Sequence, residues 1–149
     1  MKTDFDALLE VHNRPGEWEQ PFGFDRDMAE RRFRALLPAL EQLFGGPLRY
    51  EDGVYIQDAS FHAQVFVPPS TLRRALRPNE HAVVRFSNFG SLVAVWPEDA
   101  VEPAALTRLR EVVTAAGYLY VPQPALDRPY TGGGGDSTWT WWTRYFDWL

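Results

Sequence analysis

The stretch VVRFSNFGSLVAVW, residues 83–96, decides the fold because it is typical of a β-hairpin. Two runs of β-branched and aromatic residues flank the segment SNFG, in which Asn88 or Gly90 can supply the positive φ that a tight turn requires. The pattern predicts strands over residues 82–87 and 91–96. A hairpin of this kind needs further strands or helices to cover it.

Strand patterns continue on both sides of the hairpin. Residues 60–67, SFHAQVFV, alternate Phe61, Ala63 and Val65 with His62 and Gln64, which indicates a half-buried strand. Residues 48–58, LRYEDGVYIQD, predict two short strands about a turn near Asp52 and Gly53. The segment YLYVP, residues 118–122, predicts one more short strand.

Helical patterns surround these strands. Residues 24–46 carry apolar side chains at the helical period, with Asp25 placed to cap the helix and Gly45 to end it. Pro38 lies within this segment and is expected to kink or split the helix. Residues 102–117 predict a second helix, and residues 4–12 predict a short one.

The aromatic C-terminal segment STWTWWTRYFDWL, residues 137–149, predicts a helix capped by Asp136 or Ser137. On a helical wheel Arg144 falls within a polar arc. One side of the wide apolar face is a stripe of Trp141, Tyr145 and Trp148. This helix closes the core, and the stripe either joins that core or binds a partner.

These elements predict a single α+β domain over residues 1–149. Strands cluster in the middle of the chain and helices flank them, which favours a mainly antiparallel sheet with helices packed largely on one face. An aromatic helix at the C-terminus belongs to the same domain. A chain of 149 residues needs no metal or disulfide to fold.

Composition excludes several classes of function. The net charge of −5 makes nucleic acid a poor partner and would attract a basic protein. The chain has no cysteine, so disulfides, thiolate nucleophiles and cysteine metal sites are excluded. No apolar run approaches the ~18 residues of a membrane helix, and acidic Asp4 and Asp6 stand where a signal peptide would be basic and then apolar. We expect a cytoplasmic protein.

No stretch carries a catalytic or cofactor-binding signature. His12, His62 and His81 have no metal-ligand spacing, and no serine lies in a G-x-S-x-G elbow. The glycine-rich loop, residues 132–135, could cradle phosphate ahead of a helix, but it lacks the lysine of a P-loop and is followed by Asp136. We therefore predict a non-catalytic protein with no cofactor and no metal.

Residues 83–96 and the closing YTGGGGDSTWTWWTRYFDWL, residues 130–149, resemble small acidic bacterial immunity-type proteins of polymorphic toxin systems. The resemblance implies an inhibitor that binds a toxin domain and blocks its active site, and it implies no catalytic residues. The acidic charge suits a basic toxin partner.

The predicted partner-binding residues fall into two groups. The acidic group lies in a turn or at strand ends, where helix capping does not explain it, and the aromatic group is the C-terminal stripe. They are Glu51, Asp52, Asp58, Trp141, Tyr145 and Trp148. Two alternatives stay open: a small enzyme or ligand-binding domain with a site near residues 132–135, and a subunit that forms a homodimer through its aromatic C-terminal segment.

Overall fold

The structure is a computed structural model that describes residues 4–149. The predicted domain of residues 1–149 thus has its first three residues, including Lys2, outside the described part. The helices and strands follow in chain order as α1 (Asp4–Val11), α2 (Arg26–Phe44), β1 (Tyr50–Asp52), β2 (Phe61–Phe66), β3 (Val83–Ser87), β4 (Leu92–Trp96), α3 (Pro103–Ala115), β5 (Leu119–Tyr120), α4 (Gln123–Leu126) and α5 (Trp141–Phe146).

The five strands form one sheet in the order β1-β2-β3-β4-β5. Neighbours are antiparallel except β5, which runs parallel to β4. The β3–β4 hairpin confirms the sequence prediction, with Val84 opposite Val95. Positive φ in its turn belongs to Gly90 and also to Ser91, whereas Asn88 has no positive φ. The predicted α+β fold with a mainly antiparallel sheet is confirmed.

The pairing of β2 with β3 is irregular at the start of β2. The pairing with β3 shifts between Phe61 and Ala63, so His62 is an extra residue in a β-bulge. A bulge breaks the alternation of side chains between the two faces. The simple alternation predicted for this strand is therefore wrong at its start.

The two longest helices, α2 and α3, pack on one face of the sheet. Asp25 caps α2 by accepting a hydrogen bond from the backbone of Met28, and Gly45 ends it at φ +86°. Pro38 does not split α2. The apolar face on both sides of Pro38, including Leu37 and Leu40, stays buried against the sheet and holds the helix in register.

The opposite face of the sheet is also covered, by α1, α4 and α5. Leu92 and Ala94 of β4 point to this face and belong to a cluster with residues of all three helices. The members of that cluster are Leu9, Phe89, Leu92, Ala94, Val121, Ala125, Leu126, Trp141, Trp142, Tyr145 and Phe146. The C-terminal aromatic residues therefore form much of a second core layer.

The C-terminal helix is present but shorter than predicted. Its cap is Thr140 rather than Asp136 or Ser137, and Thr140 and Thr143 form a reciprocal capping box. Asp136 is unavailable as a cap because its carboxylate accepts hydrogen bonds from Thr138 instead. After Phe146 the chain becomes extended.

Two further differences concern segments between the main elements. A second strand was predicted after Asp52, but a short 3-10 turn, Gly53–Tyr55, follows β1 instead. The short helix α4 was not predicted, although its second residue, Pro124, is typical of a helix start. No helix within residues 4–149 is both long and apolar enough to cross a bilayer.

Candidate functional site

The chain after α5 returns to the start of β2. Ser60 donates its backbone N–H to the carbonyl of Asp147 at 2.9 Å, and Leu149 donates to the carbonyl of Asp58 at 2.7 Å. These bonds place Trp148 beside Ala59 and edge-on to Phe61, with ring centroids 4.9 Å apart. Trp148 is anchored on one side and remains 42 % exposed on the other.

The glycine-rich loop, residues 132–135, closes a hairpin-like segment. Tyr130 donates its backbone N–H to the carbonyl of Trp139 at 2.9 Å, so the chain on both sides of the loop is paired. The Tyr130 hydroxyl donates to the carbonyl of Gly133 at 2.8 Å, and the Asn13 amide donates to the carbonyl of Gly132 at 3.2 Å. The loop is thus held in one conformation by specific contacts.

A cleft of about 430 Å³ lies between this loop and the returning C-terminal segment. Trp18 and Trp139 form one corner, with ring centroids 5.3 Å apart and planes at 88°. We call this the tryptophan cleft, lined by Trp18, Gly134, Gly135, Asp136, Trp139, Thr143, Trp148 and Leu149. It combines aromatic walls with a carboxylate.

The carboxylate of Asp136 gives the tryptophan cleft its charge. Hydrogen bonds from the backbone N–H and the hydroxyl of Thr138, at 2.8 and 2.7 Å, lower the pKa of Asp136. These bonds favour the ionised form. The cleft therefore carries a negative charge at neutral pH.

Arg144 supports Trp18, one wall of the cleft, from the protein interior. The sequence pattern predicts Arg144 on a polar arc of the helix. Its side chain is completely buried, which lowers the pKa of the guanidinium. The guanidinium carbon lies 4.8 Å from the ring centroid of Trp18, 4.6 Å from that of Phe89 and 5.1 Å from that of Tyr145. The prediction of an exposed Arg144 is wrong because the ring faces and backbone carbonyls around it replace water.

The acceptors of Arg144 lie in the loop after α1. Its Nε donates to Oδ1 of Asn13 at 2.9 Å, and Nη1 donates to the carbonyl of Trp18 at 3.3 Å. Nη2 donates to the carbonyls of Arg14 and Glu17 at 3.3 and 3.0 Å. The Arg144 guanidinium therefore holds residues 13–18 in place through these hydrogen bonds and fixes Trp18 in the cleft.

The predicted aromatic stripe does not form an exposed surface. Trp141 and Tyr145 are buried and stack on each other, with centroids 5.7 Å apart and planes at 20°. The Tyr145 hydroxyl donates to the carbonyl of Leu9 at 2.5 Å, and burial raises the pKa of Tyr145. Of the three stripe residues only Trp148 is exposed, because the chain leaves the helical path after Phe146.

The three predicted acidic residues do not form one patch. Asp52 is buried and accepts a bidentate pair of hydrogen bonds from Arg34, at 2.8 and 3.1 Å, so it is not free to steer a partner. Glu51 is partly buried and accepts from the Gln64 amide at 2.7 Å. Asp58 is exposed, and its carbonyl receives the N–H of Leu149, which lines the cleft.

The glycine-rich loop and its surroundings differ from a typical phosphate-binding or metal-binding site. The glycine-rich loop does not open onto a helix, because α5 begins only at Trp141, six residues after Gly135, and Asp136 adds a negative charge. Across residues 4–149 no group of three histidine, aspartate or glutamate side chains is arranged to hold a metal ion.

The structure brings together two of the predicted partner-binding residues, Asp58 and Trp148, at one edge of the tryptophan cleft. Sequence reasoning missed Trp18, Trp139 and Asp136 as parts of the same site. Trp18 carries no sequence signal for this role, since it is 121 positions before Trp139 and reaches the cleft only through contacts distant in sequence, such as those with Trp139 and Arg144. No family model, curated protein or solved structure matches this chain. The chain is an α+β domain with a cleft whose walls are largely tryptophan side chains.

Proposed function

We propose that this protein is a non-catalytic cytoplasmic binding protein of the immunity type, which inhibits a cognate bacterial toxin domain by direct contact. The tryptophan cleft is the observation that carries the proposal. Trp18, Trp139 and Trp148 line it together with Asp136. Tryptophan is among the residues that contribute most to binding energy at protein interfaces.

The occupant of the cleft is an arginine or lysine side chain of a basic partner. A cation is attracted to the face of a tryptophan ring, and the carboxylate of Asp136 adds an opposite charge at the same place. The net charge of −5 also favours a positively charged partner, because it speeds the approach of a basic protein. Asp58 is exposed, and its backbone carbonyl is bonded to Leu149 of the cleft, so it adds a further negative charge nearby.

The cleft is preorganised for such a contact. Arg144 fixes Trp18 from inside, Phe61 supports Trp148, and Tyr130 packs against Trp139 at a centroid distance of 5.9 Å. Side chains that are already ordered lose less conformational entropy on binding. Each wall of the cleft therefore contributes to affinity without a prior rearrangement.

The test is co-expression with each secreted protein encoded beside this gene, followed by purification and binding kinetics at low and moderate salt. Trp148→Ala removes an anchoring ring, so we expect faster dissociation with little change in the association rate. Phe22→Ala is the matched control, because Phe22 is 95 % exposed but lies outside the cleft.

A charge variant tests steering separately. Asp58→Asn removes one negative charge and keeps a residue type that tolerates the observed φ of +54°. We expect slower association and a weaker dependence on salt, whereas Asp127→Asn, exposed beyond α4, leaves both unchanged. If no neighbouring secreted protein binds the chain or becomes less toxic in its presence, the proposal is wrong.

A further inference from the structure

A second cavity, of about 350 Å³, lies between the first turns of α2, the bulge of β2 and the β3–β4 turn. It shares no lining residue with the tryptophan cleft. Phe24 and Met28 provide apolar surface on it, and the Phe24 ring packs against the ring of His62 at a centroid distance of 5.8 Å. Arg32 and Tyr118 also line it.

Two unpaired polar atoms distinguish this cavity. Nε2 of His62 and the hydroxyl of Tyr118 are the only buried side-chain polar atoms of residues 4–149 that lack a hydrogen-bond partner, and both residues line it. Each residue is only 3 % exposed. Buried polar groups in folded proteins are nearly always paired with protein, ordered water or a ligand, so two groups without a protein partner at the same cavity make it a candidate ligand site.

The hydrogen bonds of Asn88 determine which atom of His62 carries the proton. The Asn88 amide nitrogen donates to the carbonyls of Glu19 and Ala59, at 2.9 and 3.2 Å, so its Oδ1 faces Nδ1 of His62 at 3.1 Å. Nδ1 must then donate, which leaves a bare lone pair on Nε2. Burial lowers the pKa of His62 to about 4, so the ring is neutral at pH 7.

Arg32 supplies positive charge over the face of the Tyr118 ring. Its guanidinium carbon lies 4.0 Å from the Tyr118 ring centroid, and it donates to the Ser91 hydroxyl at 2.8 Å and to the carbonyl of Ala116 at 3.2 Å. Within residues 4–149 it forms no ion pair with a carboxylate. Three of its five N–H groups therefore remain for an anion.

We propose that this cavity binds a small aromatic carboxylate that also carries a hydroxyl or N–H donor. The carboxylate pairs with Arg32 and accepts from the Tyr118 hydroxyl, while the donor of the ligand bonds to Nε2 of His62. The aromatic ring lies against Phe24 and Met28. Asp25, which also lines the cavity, precedes Arg32 by seven helical residues, about 10 Å along the axis, and its carboxylate is committed to capping Met28.

Calorimetric titration with the three monohydroxybenzoates tests the proposal, with benzoate and phenol as comparators. We expect at least one hydroxybenzoate to bind. Benzoate lacks the donor for His62 and phenol lacks the carboxylate, so each binds at least about tenfold more weakly.

Tyr118→Phe is the decisive variant because it removes only an unpaired hydroxyl. We expect affinity for the hydroxybenzoate to fall about tenfold while the protein stays as stable in urea as the wild type. Tyr50→Phe, on the exposed edge of the sheet, is the matched control and binds normally. The proposal is overturned if no hydroxybenzoate binds at millimolar concentration, or if Tyr118→Phe binds it as tightly as the wild type.

Discussion

Arg144 contacts Trp18 twice: its guanidinium lies 4.8 Å from the centre of the indole ring, and its Nη1 donates to the backbone carbonyl of the same residue at 3.3 Å. A residue of the C-terminal helix thereby fixes both the ring and the backbone of a residue 126 positions earlier. Trp18 is a wall of the tryptophan cleft, so the shape of the cleft depends on a side chain that does not line it.

Replacing Arg144 with Met should be strongly destabilising. The variant keeps an unbranched side chain but leaves Asn13 and the carbonyls of residues 14, 17 and 18 without their donor. We expect a loss of about 3–5 kcal/mol in the free energy of unfolding, measured in urea. Arg31→Met, exposed on α2, is the control and should stay within about 0.5 kcal/mol. A loss for Arg144→Met as small as that of the control would contradict the structure.

The two C-terminal tryptophans 142 and 148 should differ in their effect on stability. Trp142 is 8 % exposed, stacks on Phe146 at 5.2 Å and packs on Trp96 at 5.0 Å between ring centroids. Trp142→Ala should cost about 3–5 kcal/mol, because it leaves a large cavity in the core. Trp148→Ala should cost less than half as much, since part of that ring already contacts water. Urea denaturation of both variants checks this order, and equal losses would be inconsistent with it.

The glycines of the loop should respond differently to substitution. A Cβ on Gly132 would collide with Asn13 and lie 2.5 Å from a ring carbon of Tyr130, whereas Gly133 has open space but a φ of +84°. Gly133→Ala should therefore be destabilising by about 1–2 kcal/mol through backbone strain.

Asparagine separates the two causes. It tolerates a positive φ, so Gly133→Asn should recover part of the stability that Gly133→Ala loses. Gly132→Asn should recover nothing relative to Gly132→Ala, because the collision remains. Thermal unfolding of the four variants measures this, and a parallel response at both positions would mean that the loop is only a flexible spacer.

His62 should make stability depend on pH below neutrality. Burial lowers its pKa from 6.5 to about 4, against the raising effect of the hydrogen bond with Asn88; the charges of Arg26 and Arg32 lower it slightly and that of Asp52 raises it slightly. Between pH 4 and pH 6.5, His62 binds a proton in the unfolded chain but not in the folded protein. The stabilising contribution is therefore complete above pH 6.5 and is lost as pH falls toward 4, by about 3 kcal/mol.

Urea titrations at several pH values between 4 and 7 measure this slope. His62→Gln should flatten it, while His81→Gln, exposed before β3, should leave it unchanged. Burial also lowers the pKa of His12, so a residual slope of the same sign is expected in His62→Gln. An unchanged slope in His62→Gln would assign the pH dependence to other groups.

Local sequence signals predicted the elements whose causes are local. The cap at Asp25, the terminator Gly45 and the SNFG hairpin each depend on residues a few positions apart, and the structure contains all three. Helical periodicity also predicted a C-terminal helix that closes the core, and Trp142 and Phe146 of α5 are buried there.

The incorrect predictions concern residues whose surroundings depend on contacts distant in sequence. Arg144 is polar by residue type, and only the ring of carbonyls from residues 14–18 makes its burial tolerable. The bulge at His62 and the bidentate pairing of Asp52 with Arg34 likewise depend on neighbouring strands and helices. The tryptophan cleft joins three segments, so no single stretch of sequence could indicate it.

The bond from Tyr145 to the carbonyl of Leu9 spans 136 positions, and the Arg144 contacts span 126 to 131. During translation, residues 9–18 emerge many seconds before their partners are made, at ~5–20 residues per second. A nascent chain lacking residues 141–149 can form α2 and the hairpin but cannot close the second core layer. Folding of that layer therefore waits until residues 141–149 have left the ribosome, and a ribosome stalled before residue 141 holds a chain whose second sheet face is open to chaperones.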